Sequence, residues 1–154
     1  MADFFFDTSA LIKRHVKETG SAWVRSLVRA KAGHTLYIAR VTAVEVTSGI
    51  TRRQHPKDLT AAQAAAILGH FRRHLLQRYR VVELTPALFA DAMRVARKHR
   101  LRAYDAVQLA VALDVHRLQQ KAGLGPVTLI SADQALNDAA TAEGLTVEDP
   151  NSHP

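Results

Sequence analysis

The sequence predicts an α/β fold with a central, mostly parallel sheet of four to five short strands and helices on both faces. Three observations lead there. Short runs rich in apolar residues recur at Phe4–Phe6, Leu36–Ala39, Val81–Leu84 and Val127–Ile130, the length and composition of strands covered on both faces. Segments with apolar residues every three or four positions lie between them. Residues that cap or break helices mark most of the junctions. Strands alternating with helices in this way build a parallel sheet between helical layers.

The elements follow in order. Phe4-Phe5-Phe6 ends at Asp7, and Thr8 and Ser9 supply cap chemistry for a short helix starting at Ala10-Leu11-Ile12. Gly20 and Ser21 punctuate before a helix carrying Trp23, Val24, Leu27 and Val28. After the second strand, helices are expected near 42–53 and 60–79, separated by a break at His55 to Leu59 that contains Pro56. In the second of these helices, His70 and His74 fall with Arg73 and Gln77 on a face read as solvated. Thr85-Pro86 is a cap followed by a first-turn proline, opening a helix to about Arg100. Another helix runs from Ala103 to Gln120. Gly123 to Pro126 breaks it before the fourth strand, and Ser131 is the expected cap of a helix that Gly144 ends. Leu145–Glu148 is a short fifth strand.

At 154 residues the chain reads as one domain over 1–148, with a polar tail, 149–154, expected to fray. Zero cysteines exclude a disulfide scaffold and any thiolate chemistry. No apolar stretch is long enough to span a membrane, and the opening apolar run is too short for an export signal, so a soluble cytoplasmic protein is expected. The formal charge of +7 points weakly to a polyanionic partner.

Ligands in parallel sheets bind outside the carboxyl ends of the strands. Asp7 ends the first strand, Glu45 lies in the first turns after the second, and Asp133 lies three residues past the fourth. Asp105 opens the helix 103–120, in which Asp105 and Gln108 are the only strongly polar residues up to Leu113. A carboxylate in so apolar a helix needs a partner. Each acid also has a local reading: Thr42-x-x-Glu45 and Ser131-x-x-Gln134 fit capping boxes, Asp105 and Asp133 suit first turns, and Asp7 could merely stop a strand. These readings leave unexplained why the acids recur near strand exits and within apolar helices. Carboxylates converging on one pocket would repel, and a hard divalent cation such as Mg²⁺ or Mn²⁺ resolves this. Zinc is disfavoured without cysteine and without a zincin histidine pair.

The stretches Phe4-Phe5-Phe6-Asp7-Thr8-Ser9-Ala10-Leu11, Val44-Glu45-Val46, Tyr104-Asp105-Ala106-Val107-Gln108-Leu109-Ala110 and Ile130-Ser131-Ala132-Asp133-Gln134-Ala135-Leu136 resemble, in order and context, the PIN-domain pattern, in particular that of VapC-type ribonuclease toxins. The resemblance spans about Asp3 to Pro150. It implies a three-layer α/β/α PIN-like fold, a homodimer, RNA cleavage, and a VapB-type antitoxin that blocks the site. It implies further that Asp7, Glu45, Asp105 and Asp133 hold Mg²⁺ or Mn²⁺, with Thr8 or Ser9 as the supporting hydroxyl and Asp138 competing with Asp133 for the fourth place. The expected activity is metal-assisted hydrolysis of a single-stranded or loop RNA phosphodiester, with one or two metals.

A carboxylate cluster repels phosphate, so attraction must come from elsewhere. Between Val46 and Val82 stand Arg52, Arg53, Lys57, Arg72, Arg73, Arg78 and Arg80 against Asp58 alone, and between Asp91 and Asp105 stand Arg94, Arg97, Lys98, Arg100 and Arg102 with no acid. These residues suit an RNA backbone, an antitoxin surface or a plain solvated face. Two competing enzyme classes fail on single positions. A haloacid-dehalogenase-type phosphatase wants an acid where Ser9 stands, and a receiver domain wants one at Leu84-Thr85-Pro86. A non-catalytic PIN-like module that binds RNA or protein is the alternative reading.

Overall fold

The computed structural model describes residues 1–54 and 58–154. Residues 55–57, within the expected break at 55–59, lie outside the described residues. Five strands, β1 (Asp3–Phe6), β2 (Thr35–Ala39), β3 (Arg80–Val82), β4 (Val127–Ile130) and β5 (Thr146–Glu148), form one sheet in the order β3-β2-β1-β4-β5. Every pairing is parallel, with Phe4 opposite Leu36 on one side and Thr128 on the other. The helices are α1 (Thr8–Leu11), α2 (Ser21–Val28), α3 (Arg40–Arg52), α4 (Ala61–Gln77), α5 (Pro86–His99), α6 (Ala103–Lys121) and α7 (Gln134–Ala142).

Strand alternation divides the core in two. Phe5, Leu129 and Val127 pack with Leu88, Val95, Leu109 and Leu136, which places α5, α6 and α7 over one face. Phe6, Leu36, Ile38 and Ile130 pack with Leu11, Val24, Ile50 and Phe71 from α1 to α4 on the other. Phe5 and Phe6 are both fully buried, and burial of a side chain of this size stabilises by roughly 1.5–3 kcal/mol. The result is the expected three-layer α/β/α arrangement, with a sheet that is parallel throughout the described residues. No helix of the described residues is long and apolar enough to cross a membrane.

The chain winds outward from β1 through β2 to β3, then returns to β1's other edge with β4 and continues to β5. The winding direction therefore reverses between β1 and β4, and a crevice opens at the carboxyl ends of strands at such a reversal. Asp7 leaves β1 and Ser131 leaves β4 at this point, and the Asp7 amide donates to the Ile130 carbonyl at 3.0 Å.

Several local expectations are corrected by longer-range partners. Thr8 and Ser9 do not cap α1; Asp7 does, accepting from the Ser9 amide. Helix α3 starts two residues early, at Arg40 with Ala39 at its cap, so Thr42 and Glu45 lie inside the helix and form no capping box. Asp133 rather than Ser131 caps α7. The caps of α4 by Thr60 and of α5 by Thr85, with Pro86 in the first turn, stand as the local rules require. The solvated reading of His70 and His74 also changes. Both are half-buried against His15, with ring centroids 5.9 Å (His15–His70) and 4.3 Å (His70–His74) apart, and the Arg14 guanidinium stands 3.2 Å from His74 Nε2. Burial, reinforced by Arg14, pushes His15 down to about 3 and His74 to about 4, so neither carries charge at neutral pH.

The tail is ordered rather than frayed. Pro150–Ser152 form a 3-10 turn, Pro150 is buried, and the His153 ring stacks on Trp23 at 4.0 Å. Gly20 makes this possible. Its φ is +81°, and a Cβ there would stand 2.2 Å from the Pro150 carbonyl oxygen.

Candidate active site

Four acids gather at the carboxyl edge of the sheet, each delivered by a different element. Asp7 is the most buried, 4% exposed at the end of β1. Its Oδ2 accepts from the Ser9 hydroxyl at 2.5 Å, the Ser9 amide at 3.1 Å and, more distantly, the Ser131 hydroxyl at 3.4 Å. Burial raises the Asp7 carboxyl above its ordinary value; the Ser9 bonds oppose this and the charge of Glu45 adds to it. Asp105 is raised too, by burial first and then by Asp133 and Asp7, against the opposing Arg102. Asp7 thus feels the charge of Glu45, and Asp105 feels those of Asp133 and Asp7.

Glu45 is held by a network that crosses the top of the sheet. Thr8 Oγ1 donates to Glu45 Oε1 at 2.9 Å. Gln108 Nε2, wholly buried on α6, donates to Glu45 Oε1 and Thr42 Oγ1, both at 2.8 Å, and lies 3.3 Å from Thr8 Oγ1. With three oxygens around it, that position must be the amide nitrogen, which fixes the orientation of Gln108. Its own Oε1 is buried without a partner.

Asp133 divides its two oxygens. Oδ1 accepts from the Leu136 amide at 2.9 Å and so caps α7. Oδ2 lies 3.9 Å from Arg102 Nη2, while Arg102 Nε lies 3.7 Å from Asp105 Oδ2. Asp138 is exposed and accepts from Gln134 Nε2 at 2.7 Å. Ser9 and Ser131 complete the floor: Ser9 Oγ accepts from the Ala132 amide at 3.0 Å, and Ser131 Oγ from the Asp133 amide at 3.1 Å.

Sequence reasoning missed the roles of Thr42, Ser131 and Tyr104 and did not place Gln108 in the site. Gln108 had a readable signal, being the one strongly polar side chain three residues beyond Asp105 in an apolar helix. A cleft of about 430 Å³ opens beside the acids, lined by Thr8, Ser9, Glu45, Arg52, Arg53 and Tyr104 among others. Tyr104 and Val44 stand exposed at it.

The structure separates the basic residues into two groups. Arg94 and Lys98 are committed to Glu143 Oε1, at 3.4 and 2.9 Å, and Arg94 also to Asp91. Arg97 and Arg100 are exposed and lack an ion-pair partner among the described residues. Arg78 is bound to the carbonyls of Val28 and His34, whereas Arg52, Arg72 and Arg73 are exposed.

Hydrogen bonds from His99, then Lys98 and Arg94, hold Glu143 down to about 2. Its folded value is below the unfolded one, so its contribution is present above about pH 4.5 and is lost as pH falls through about 2. We expect Glu143→Gln to lower stability at pH 7 by about 1–2 kcal/mol, discounted because Arg94 and Lys98 are half exposed. Urea melts of both proteins should converge between pH 4.5 and 2, and a gap that persists at low pH would show that packing, not charge, is at issue.

The donors at the site are all hard oxygens, the most buried carboxyl is raised by desolvation, and like charges crowd it, which fits a divalent cation of the Mg²⁺ type in chemistry. Among the described residues, no three acid or histidine side chains stand close enough to ligate a single ion as they are placed.

The fold and site together define a class: a three-layer domain with a carboxylate pocket at the reversal point of a parallel sheet. The chain belongs to the PIN domain family, whose model matches residues 4–141. No curated protein matches the chain. Among solved structures, it is similar to PAE2754 from Pyrobaculum aerophilum (21% identity, TM-score 0.63, covering 98% of this chain and 91% of that one). It is similar also to a toxin–antitoxin complex from Klebsiella pneumoniae (17%, 0.63, 97% and 98%). A third is VapC20 of Mycobacterium tuberculosis, a sarcin-ricin-loop-cleaving toxin (18%, 0.63, 98% and 99%). At these identities the likeness is one of fold.

Proposed function

We propose that this PIN-domain protein is a Mg²⁺- or Mn²⁺-dependent endoribonuclease and the toxin of a toxin–antitoxin pair. The observation that carries the reading is the buried Asp7 carboxylate, fixed by Ser9 and Ser131 and bordered by Glu45, Asp105 and Asp133 at the carboxyl edge of the sheet. The structural likeness to toxin–antitoxin proteins, one of them a sarcin-ricin-loop-cleaving toxin, supports the substrate class and an antitoxin partner.

Asp7, Glu45 and Asp105 would hold the cation, with Asp133 contributing its Oδ2 to a second ion or to the attacking water. When bound, the cation supplies Lewis acidity at the phosphate and lowers the pKa of water. The chain does the rest. Ser9, Ser131 and Gln108 hold the Asp7 and Glu45 carboxylates by hydrogen bonds, which limits how far either can turn. Arg52 and Arg53 line the adjoining cleft and offset the repulsion between the acids and the RNA backbone, while Tyr104 offers a ring on which a base can stack. Exposed apolar side chains, Phe89 and Met93 on α5 and Val44 beside the cleft, offer surface for the antitoxin and for a second copy in a homodimer.

The test is direct. Antitoxin-free protein incubated with RNA should cut it in Mg²⁺ or Mn²⁺, stop in EDTA, and resume when the cation is restored. RNA that is bound but never cut in either cation would replace the nuclease with a binding module, and cutting unaffected by EDTA would overturn the metal dependence.

A further inference from the structure

We propose that Arg102 is a built-in counter-ion of the acidic pocket, which competes with the divalent cation for Asp105 and Asp133 and so sets how tightly that cation binds. The proposal rests on the metal-site reading above and goes beyond it.

Arg102 stands where local physics disfavours it. It is the cap residue of α6 yet makes no side-chain cap bond; α1, α4, α5 and α7 are each capped by a side-chain oxygen, and the other two uncapped helices, α2 and α3, begin after the small residues Gly20 and Ala39 rather than a long cation. A cation at a helix amino end also opposes the helix dipole. A residue that breaks two local rules is explained by what its side chain does elsewhere. Here the guanidinium bridges Asp105 Oδ2 at 3.7 Å and Asp133 Oδ2 at 3.9 Å.

The contact suits displacement. The side chain is 87% exposed, and both distances exceed hydrogen-bond length, so the pairs are loose and partly screened by water. The backbone, by contrast, is held. Arg100 takes a left-handed turn at φ 54°, and the Leu101 amide donates to the Ala96 carbonyl at 3.2 Å, which pins the α5–α6 turn beside the pocket. The guanidinium therefore stays tethered at the rim whether or not it touches the acids. A guanidinium and a divalent ion on the same carboxylate oxygens repel, so one must leave before the other settles.

The experiment measures Mn²⁺ alone, by the loss of its free electron-paramagnetic-resonance signal on titration with protein and no RNA. Arg102→Gln should bind Mn²⁺ about three- to tenfold more tightly than wild type, with the difference narrowing as salt is raised. Arg102→Lys, which keeps the charge, should stay near wild type. Arg29→Gln removes an equal charge from the exposed segment leading into the amino end of β2 and should change nothing. Unchanged or weaker binding by Arg102→Gln, with wild-type binding still abolished by Asp7→Asn, would overturn the competition and leave the metal site standing. A gain reproduced by Arg29→Gln would reduce the effect to net charge and overturn it equally. Failure of wild type and Arg102→Gln alike to bind Mn²⁺ through Asp7 would remove the site reading itself.

Discussion

Asp7→Asn should cost more than 10²-fold in RNA cleavage while leaving the fold intact. Asparagine keeps the shape of the side chain and one oxygen to accept from Ser9, so α1 retains its cap. The change removes only the negative charge on the carboxyl at the centre of the group. That charge is costly in the cation-free protein, because burial and Glu45 both work against it. Stability without metal should therefore hold or rise, and a thermal melt in EDTA reads this separately from activity. Cleavage by Asp7→Asn equal to wild type would remove the carboxylate from the chemistry. A collapsed melt would instead mean that Asp7 serves the fold, and the comparison would then pass to Asp105→Asn.

The second large effect lies at Gln108. Gln108→Leu keeps the volume but strips the donor from Glu45, Thr42 and Thr8 together. Taking one of two donors from the half-buried Glu45 Oε1, and the donor to the buried Thr42 hydroxyl, is costly, although leucine also removes the unpartnered Gln108 Oε1. The net loss should be about 1–3 kcal/mol by urea denaturation. Activity should fall about 10–100-fold beyond what unfolding explains, because Glu45 is no longer held in one orientation. A variant that lost stability but kept full cleavage would make Gln108 a core residue with no bearing on the site.

The layers and the alternation of strands with helices were legible in the sequence because each rests on short-range pattern. Phe4-Phe5-Phe6-Asp7 announces a strand and its exit within four residues, and Asp105 stands out because the rest of its helix is apolar. What was not legible depends on partners far apart in the chain. Ser131 looks like an ordinary cap until it is seen to donate to Asp7, 124 positions away. Arg94 and Lys98 look available for RNA until Glu143, more than forty positions on, is found holding both. His70 and His74 look solvated on a helical wheel that cannot show His15. Arg102 is the opposite case: its misfit at the head of α6 is visible in the sequence, but its use needs the positions of two acids from two elements.

The winding reversal between β1 and β4 has a consequence for the birth of the molecule. Ser131, which helps to complete the surroundings of Asp7, leaves the ribosome 124 residues after it. Gln108 ties Thr8 and Glu45 together only after a hundred residues have been synthesised. A nascent chain therefore carries Asp7 and Glu45 without the pocket, which is complete only once β4 has paired beside β1.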